Sequence, residues 1–101
     1  MKELPLVCKY TRNYFYRGSY KEKPIYAVLL EYNSRTKCYY ANLINENGTL
    51  FGRHYDRWLD WDDEVISSHQ VSMEHLPKKV LKTVTEQVEV FEEVNRRTKR
   101  K

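Results

Sequence analysis

A chain of 101 residues and 12.3 kDa, with 18 Lys and Arg against 14 Asp and Glu, has room for one domain and carries a formal charge of +4. At 41% hydrophobic residues and a mean hydropathy of −0.82, its core is small but large enough to fold alone. No stretch nears the roughly 18 apolar residues of a membrane span, and Met1-Lys2-Glu3-Leu4-Pro5 lacks the apolar region of a secretory signal. The expectation is a cytoplasmic protein with no membrane contact.

From Leu4 to Tyr55 the chain reads as strands and turns. Leu6 to Arg17 is rich in Tyr, Phe and β-branched residues; Tyr10, Arg12, Tyr14 and Tyr16 share one face, with Thr11, Asn13, Phe15 and Arg17 on the other. Gly18 to Pro24 is polar and broken at both ends, which predicts a loop. Ile25 to Tyr32 is the strongest strand. Ala27 and Leu29 on one side and Val28 and Leu30 on the other make it apolar on both faces, as a central strand requires. A polar connection over residues 33–36 leads to a strand over Lys37–Asn45. Asn47-Gly48 then supplies the two positive φ values of a type I′ hairpin turn, and residues 49–55 return as a third hairpin-connected strand.

The segment from Arg57 to Glu64 is acidic and aromatic without a clear period, and Val65 to Met73 suggests a further short strand. A helix is predicted from about Leu76, with Pro77 in its first turn. Leu76, Val80, Leu81, Val84, Val88, Phe91 and Val94 recur at helical spacing, and Lys78, Lys82, Glu86, Glu89, Glu93 and Arg97 occupy the opposite side. The fold class expected is α+β: an antiparallel meander of three to five strands followed by one long amphipathic C-terminal helix, presenting Val80, Leu81, Val84, Val88 and Phe91 to the sheet. The domain spans residues 1–95, and 96–101 form a basic, disordered tail.

Charge is unevenly distributed. Residues 1–58 hold ten basic and five acidic side chains, 59–76 hold five acidic and no basic ones, and 77–101 hold eight basic and four acidic. The last six residues carry five positive charges, a plausible phosphate contact or a solvated terminus. Cys8 and Cys38 belong to no CxxC pair or metal-ligand cluster, so both read as small buried hydrophobes and no cofactor is implied. Asn47-Gly48-Thr49 matches a glycosylation acceptor, but turn chemistry explains it better.

Nine Tyr, three Phe and two Trp are the feature that departs most from ordinary composition, and most of them lie in the predicted sheet beside Arg or Lys. Bases stack on aromatic faces for about 1–3 kcal/mol each while cations hold the backbone. Cross-strand Tyr pairs also simply cover half-buried sheet surface, and Tyr, Trp and Arg dominate protein-binding hot spots. His54, Asp56, Asp60 and Asp62 invite a catalytic or metal reading, but no fixed ligand or nucleophile–base spacing accompanies them, so no enzyme is expected. Trp58 and Trp61 read as anchors of the crossing loop, with Asp60, Asp62, Asp63 and Glu64 in water or facing a basic partner.

The function expected is non-enzymatic binding of nucleic acid, single-stranded DNA or RNA. Tyr10, Tyr14, Tyr16 and Tyr39 would stack bases on a sheet face, with Lys9, Arg12, Arg17, Lys37 and the terminal Arg96, Arg97, Lys99 and Arg100 on phosphates. The alternative is a small phage- or plasmid-type accessory protein that binds and modulates a host protein through its aromatic surface. Exposed Val90 and Val94 suggest a homodimer through the C-terminal helix.

Overall fold

The computed structural model describes residues 3–98, with the side chains of Tyr14, Tyr16 and Thr98 outside that description. Strands β1 (Leu6–Tyr16), β2 (Ser19–Asn33) and β3 (Cys38–Asn45) form an antiparallel meander. Strand β4 (Asp56–Leu59) adds to β3, helix α1 (Asp63–His69) crosses the sheet, and the two-residue β5 (Gln70–Val71) pairs with β1 at the opposite edge. The sheet order is therefore β4-β3-β2-β1-β5. A 3₁₀ turn (Met73–His75) leads into α2 (Lys78–Thr98). This is the expected α+β arrangement of an antiparallel sheet with one long C-terminal helix. No helix among the described residues is long and apolar enough to cross a membrane.

Period-2 alternation along β1–β3 splits the apolar residues between two cores. Leu6, Cys8, Ile25, Ala27, Leu29, Tyr39, Ala41 and Leu43 face Ile66 of α1, with Trp61, Leu59 and Phe51 packed around them. Val7, Tyr26, Val28, Leu30 and Ile44 face Leu76, Val80 and Val84 at the start of α2. Each fully buried Val, Leu or Ile contributes about 1.5–3 kcal/mol. Both faces of the sheet are thus covered where β2 is apolar on both sides. Leu81 is not part of this packing: one residue beyond Val80 it turns about 100° away and is exposed.

Several expectations are corrected. Residues 18–24 are not a loop: β2 begins at Ser19, and Arg17 (φ 51) with Gly18 (φ 79) makes the tight two-residue hairpin, with positive φ at both positions. At Asn47-Gly48 only the glycine has positive φ (89), so the connection is a longer turn, closed by Asn45 N to Thr49 O at 2.7 Å and Gly48 N to Asn45 O at 2.9 Å. Beyond Thr49, residues 50–55 meet β3 through a bridge between Ile44 and Leu50, a Phe51 N to Leu43 O bond and a Leu43 N to Tyr55 O bond; the regular strand is β4, which runs into the acidic aromatic stretch.

The strand expected over Val65–Met73 is mostly helix α1. Asp62 caps it, its Oδ1 accepting from Val65 N at 2.9 Å, and Asp63 and Glu64 favour the positive end of the helix dipole. α2 starts directly after Pro77, whose carbonyl accepts from Leu81 N at 2.9 Å. It runs through Arg96 and Arg97, which are therefore helical rather than part of a disordered tail, while Lys99, Arg100 and Lys101 lie outside the described residues.

Candidate nucleic-acid interface

The three central strands differ in length. β3 pairs with β2 only from Ile25 to Asn33, and β5 reaches only Val7 and Cys8 of β1, so, among the described residues, 11–24 have strand partners only in each other. Six cross-strand pairs, from Thr11↔Pro24 to Tyr16↔Ser19, carry a two-stranded arm about 20 Å beyond the sheet. The molecule measures 52 × 27 × 27 Å, elongated as such an arm requires.

The two faces of the arm differ. On one, register places Arg12 opposite Lys23, Tyr14 opposite Lys21 and Tyr16 opposite Ser19. At its base, Arg12 and Lys23 both lie over the Phe51 ring, with Cζ 4.9 Å and Nζ 5.8 Å from the centroid, so the two like charges are held together by the ring's negative face. On the other face Thr11, Asn13 and Phe15 oppose Pro24, Glu22 and Tyr20. Phe15 and Tyr20 form an edge-to-face pair, centroids 5.2 Å apart, yet remain 62% and 80% exposed. Between residues 11 and 24 there are four basic side chains, Arg12, Arg17, Lys21 and Lys23, against the single acid Glu22.

The other candidate residues are dispersed. Lys9 is exposed near the arm's base, its Nζ 5.7 Å from the Tyr26 ring centroid. Tyr10 is half-buried edge-on against Trp61, centroids 5.3 Å apart; burial raises its pKa, against the lowering fields of Arg12 and Arg57. Tyr39 is 2% exposed, packed against Tyr32 in the α1-side core, and presents no face to a base. Lys37 sits in the β2–β3 turn (φ 58), at the opposite end of β2 from the arm tip. Arg96 and Arg97 are on the last turns of α2, with Arg97 Nη2 2.8 Å from Glu93 Oε1. The open sheet platform combining Tyr10 with Tyr39 is therefore absent, and the arm brings together Arg12, Tyr14, Tyr16 and Arg17. To these the structure adds Phe15, Tyr20, Lys21 and Lys23 on the arm and Phe51 at its base, signalled in the sequence only by the aromatics on either side of Arg17-Gly18.

Glu22 is the acid of the arm itself, and the acidic cluster of the crossing segment lies outside it. Asp60, Asp62 and Asp63 border a cleft with Tyr32, Lys37, Tyr39 and Trp61, toward the end of β2 opposite the arm. The suggested His54–carboxylate site does not assemble. His54 is exposed in a turn, Asp56 Oδ2 accepts from the Tyr40 hydroxyl at 3.2 Å, and Asp62 is spent on capping α1.

A separate groove of about 340 Å³ runs between α2 and the β3–β4 edge, walled by Tyr40, Trp58, Val90, Phe91 and Val94. Tyr40 lies 5.3 Å from Trp58 and 6.1 Å from Phe91, centroid to centroid. At its floor the buried Asn42 donates from Nδ2 to Gln87 Oε1 at 2.7 Å, while its Oδ1 has no hydrogen-bond partner among the described residues. Partial burial raises the Tyr40 pKa, and the Asp56 charge adds to the shift. No protein-family model matches the chain, and neither a curated protein nor a solved structure matches it.

Proposed function

We propose that this protein binds nucleic acid, preferentially single strands, through the β1–β2 arm and catalyses no reaction. The observation that carries the reading is the Phe15–Tyr20 pair, exposed toward the end of a basic ribbon, with the acidic Asp60–Asp63 cluster outside that ribbon, beside Tyr32, Lys37 and Tyr39. Unpaired bases stack on Phe15 and Tyr20, and Arg12, Lys21 and Lys23, joined by Arg17 at the turn, neutralise phosphates. The separation of charge orients the arm toward a polyanion before contact. Cys8, buried, and Cys38, half-buried, are both thiols, which fits a reducing cytoplasm.

Fluorescence anisotropy with labelled single-stranded and duplex oligonucleotides, at about 50 and about 200 mM salt, tests this. Three to four phosphate contacts imply a roughly 20- to 50-fold loss of single-strand affinity across that range. Phe15→Ala with Tyr20→Ala weakens binding further at either salt. Unchanged affinity in that double variant would sink the stacking role, and no binding at low salt would leave the protein-partner alternative, supported by the half-exposed Trp58.

A further inference from the structure

The groove beside α2 leaves large apolar side chains on two of its walls, Val90 and Val94 on the helix and Trp58 on β4, more than half exposed. α2 has 21 residues and is about 31 Å long. Its first half is seated by Val80 and Val84, 0% and 1% exposed, whereas Val90 and Val94 are 57% and 55% exposed and one turn apart. They face the groove across from Trp58, itself 51% exposed. Such a patch, rimmed by charge, marks an interaction surface.

The order of charges along α2 identifies its occupant. Glu86, Glu89, Glu92 and Glu93 precede Arg96 and Arg97. If two copies of this helix cross antiparallel with Val90 of one against Val94 of the other, residue 97 falls opposite residue 87, one position from Glu86. Eleven residues are almost three full turns at 100° each, so Glu86 and Arg97 project within about 20° of one another, on the flank that carries Val90. The acidic segment of each copy then meets the basic end of the other, while a parallel arrangement stacks like charge on like. The surface is thus complementary to itself under a two-fold axis, the commonest symmetry of soluble oligomers.

We propose that the groove between α2 and Trp58 is filled by a second copy of this chain, the two α2 helices packing antiparallel around Val90 and Val94. Arg97 keeps its own Glu93 and reaches the partner's Glu86 with its remaining donors. The dimer carries two arms, but its formation rests on none of the nucleic-acid reading.

Light scattering coupled to size exclusion, on the full chain without nucleic acid, reads the outcome. The wild type is expected to be a dimer at roughly 50 µM, a concentration within the range that modest interfaces hold. Val90→Glu, at a position already more than half exposed, keeps the far-UV circular dichroism of the wild type and elutes as a monomer. Glu86→Arg weakens self-association about tenfold through two symmetric ion pairs. The triple variant Glu86→Arg/Glu93→Arg/Arg97→Glu, which reverses each sign and preserves the intrahelical pair, restores it. A monomeric wild type, a dimer indifferent to Val90→Glu, or a triple variant no tighter than Glu86→Arg would each overturn the proposal. Loss of oligonucleotide binding with an intact dimer would count only against the arm.

Discussion

Gly48 is the position where a single methyl group should do most damage. Its φ is +89, and an added Cβ would stand 2.6 Å from the Lys79 carbonyl oxygen and 2.9 Å from that carbonyl's carbon. The obstruction is helix backbone and cannot swing aside. Relief requires moving the first turn of α2, which carries Val80 into the core, and would disturb the hydrogen bond from Thr83 Oγ1 to the Gly48 carbonyl. A left-handed conformation costs an alanine about 1–2 kcal/mol, and overpacking against a fixed neighbour adds about 1–3 kcal/mol. Gly48→Ala should therefore lose about 2–5 kcal/mol. Gly52 supplies the control: its φ is +67 and an added methyl would meet nothing within 4 Å, so Gly52→Ala carries only the conformational part, about 1–2 kcal/mol. At about 4–8 °C per kcal/mol for a domain of this size, thermal melts followed by circular dichroism resolve the difference easily. Equal losses in the two variants would refute the close approach of the β3 turn to α2.

In the arm, Phe15→Ala and Tyr20→Ala should each weaken single-strand binding by about 1–3 kcal/mol while leaving the melting temperature nearly unchanged, as anisotropy and melts on the same samples would show. Gln87→Leu removes the hydrogen-bond partner of the Asn42 side chain and should destabilise by about 1–3 kcal/mol, whereas Asn42→Leu/Gln87→Leu recovers most of that loss in a urea double-mutant cycle. Tyr10 and Tyr40 both have folded-state pKa values above the ordinary value near 10, so the unfolded chain deprotonates first and stability falls as pH rises above about 10. Tyr40→Phe and Tyr10→Phe should each flatten that alkaline limb in urea titrations, and an unaltered slope in both would dismiss them as its source.

How far the sequence could be read depended on whether burial imposed a period. Ile25 to Leu30 is apolar on alternate residues toward two different cores, and that double demand made the central strand legible. Leu76, Val80 and Val84 repeat every fourth residue because one helix face meets one sheet face. α1 buries only Ile66 in seven residues, so its apolar pattern has no period to detect, and its evidence was the cap at Asp62. Tyr39 and Tyr10 belong to the same residue type in similar strands; what separates them from an open platform is the crossing segment 59–66, a tertiary event invisible locally. Asn47 misled for a related reason, because the geometry of its turn is set by how closely Gly48 must approach Lys79.

The arm itself arises from mismatched strand lengths: β2 has 15 residues, β1 has 11 and β3 only eight. From Arg17 to Glu22 its residues are exposed and under no burial constraint, which is why Gly18 to Pro24 resembles a loop in sequence. A bare ribbon has open edges that invite pairing with other chains, and Lys21, Glu22, Lys23 and Pro24 are the residues that discourage it. Edge protection therefore accounts for the charge and the proline. It does not account for Phe15 and Tyr20, because large exposed aromatics at the end of such a ribbon raise the hazard that the lysines lower. Phe15→Ser/Tyr20→Ser should accordingly make the protein more soluble and no less stable, since their edge-to-face contact is made in water. If the double variant instead lowers the melting temperature substantially, the pair is holding the hairpin together and the argument that it awaits a ligand loses its premise.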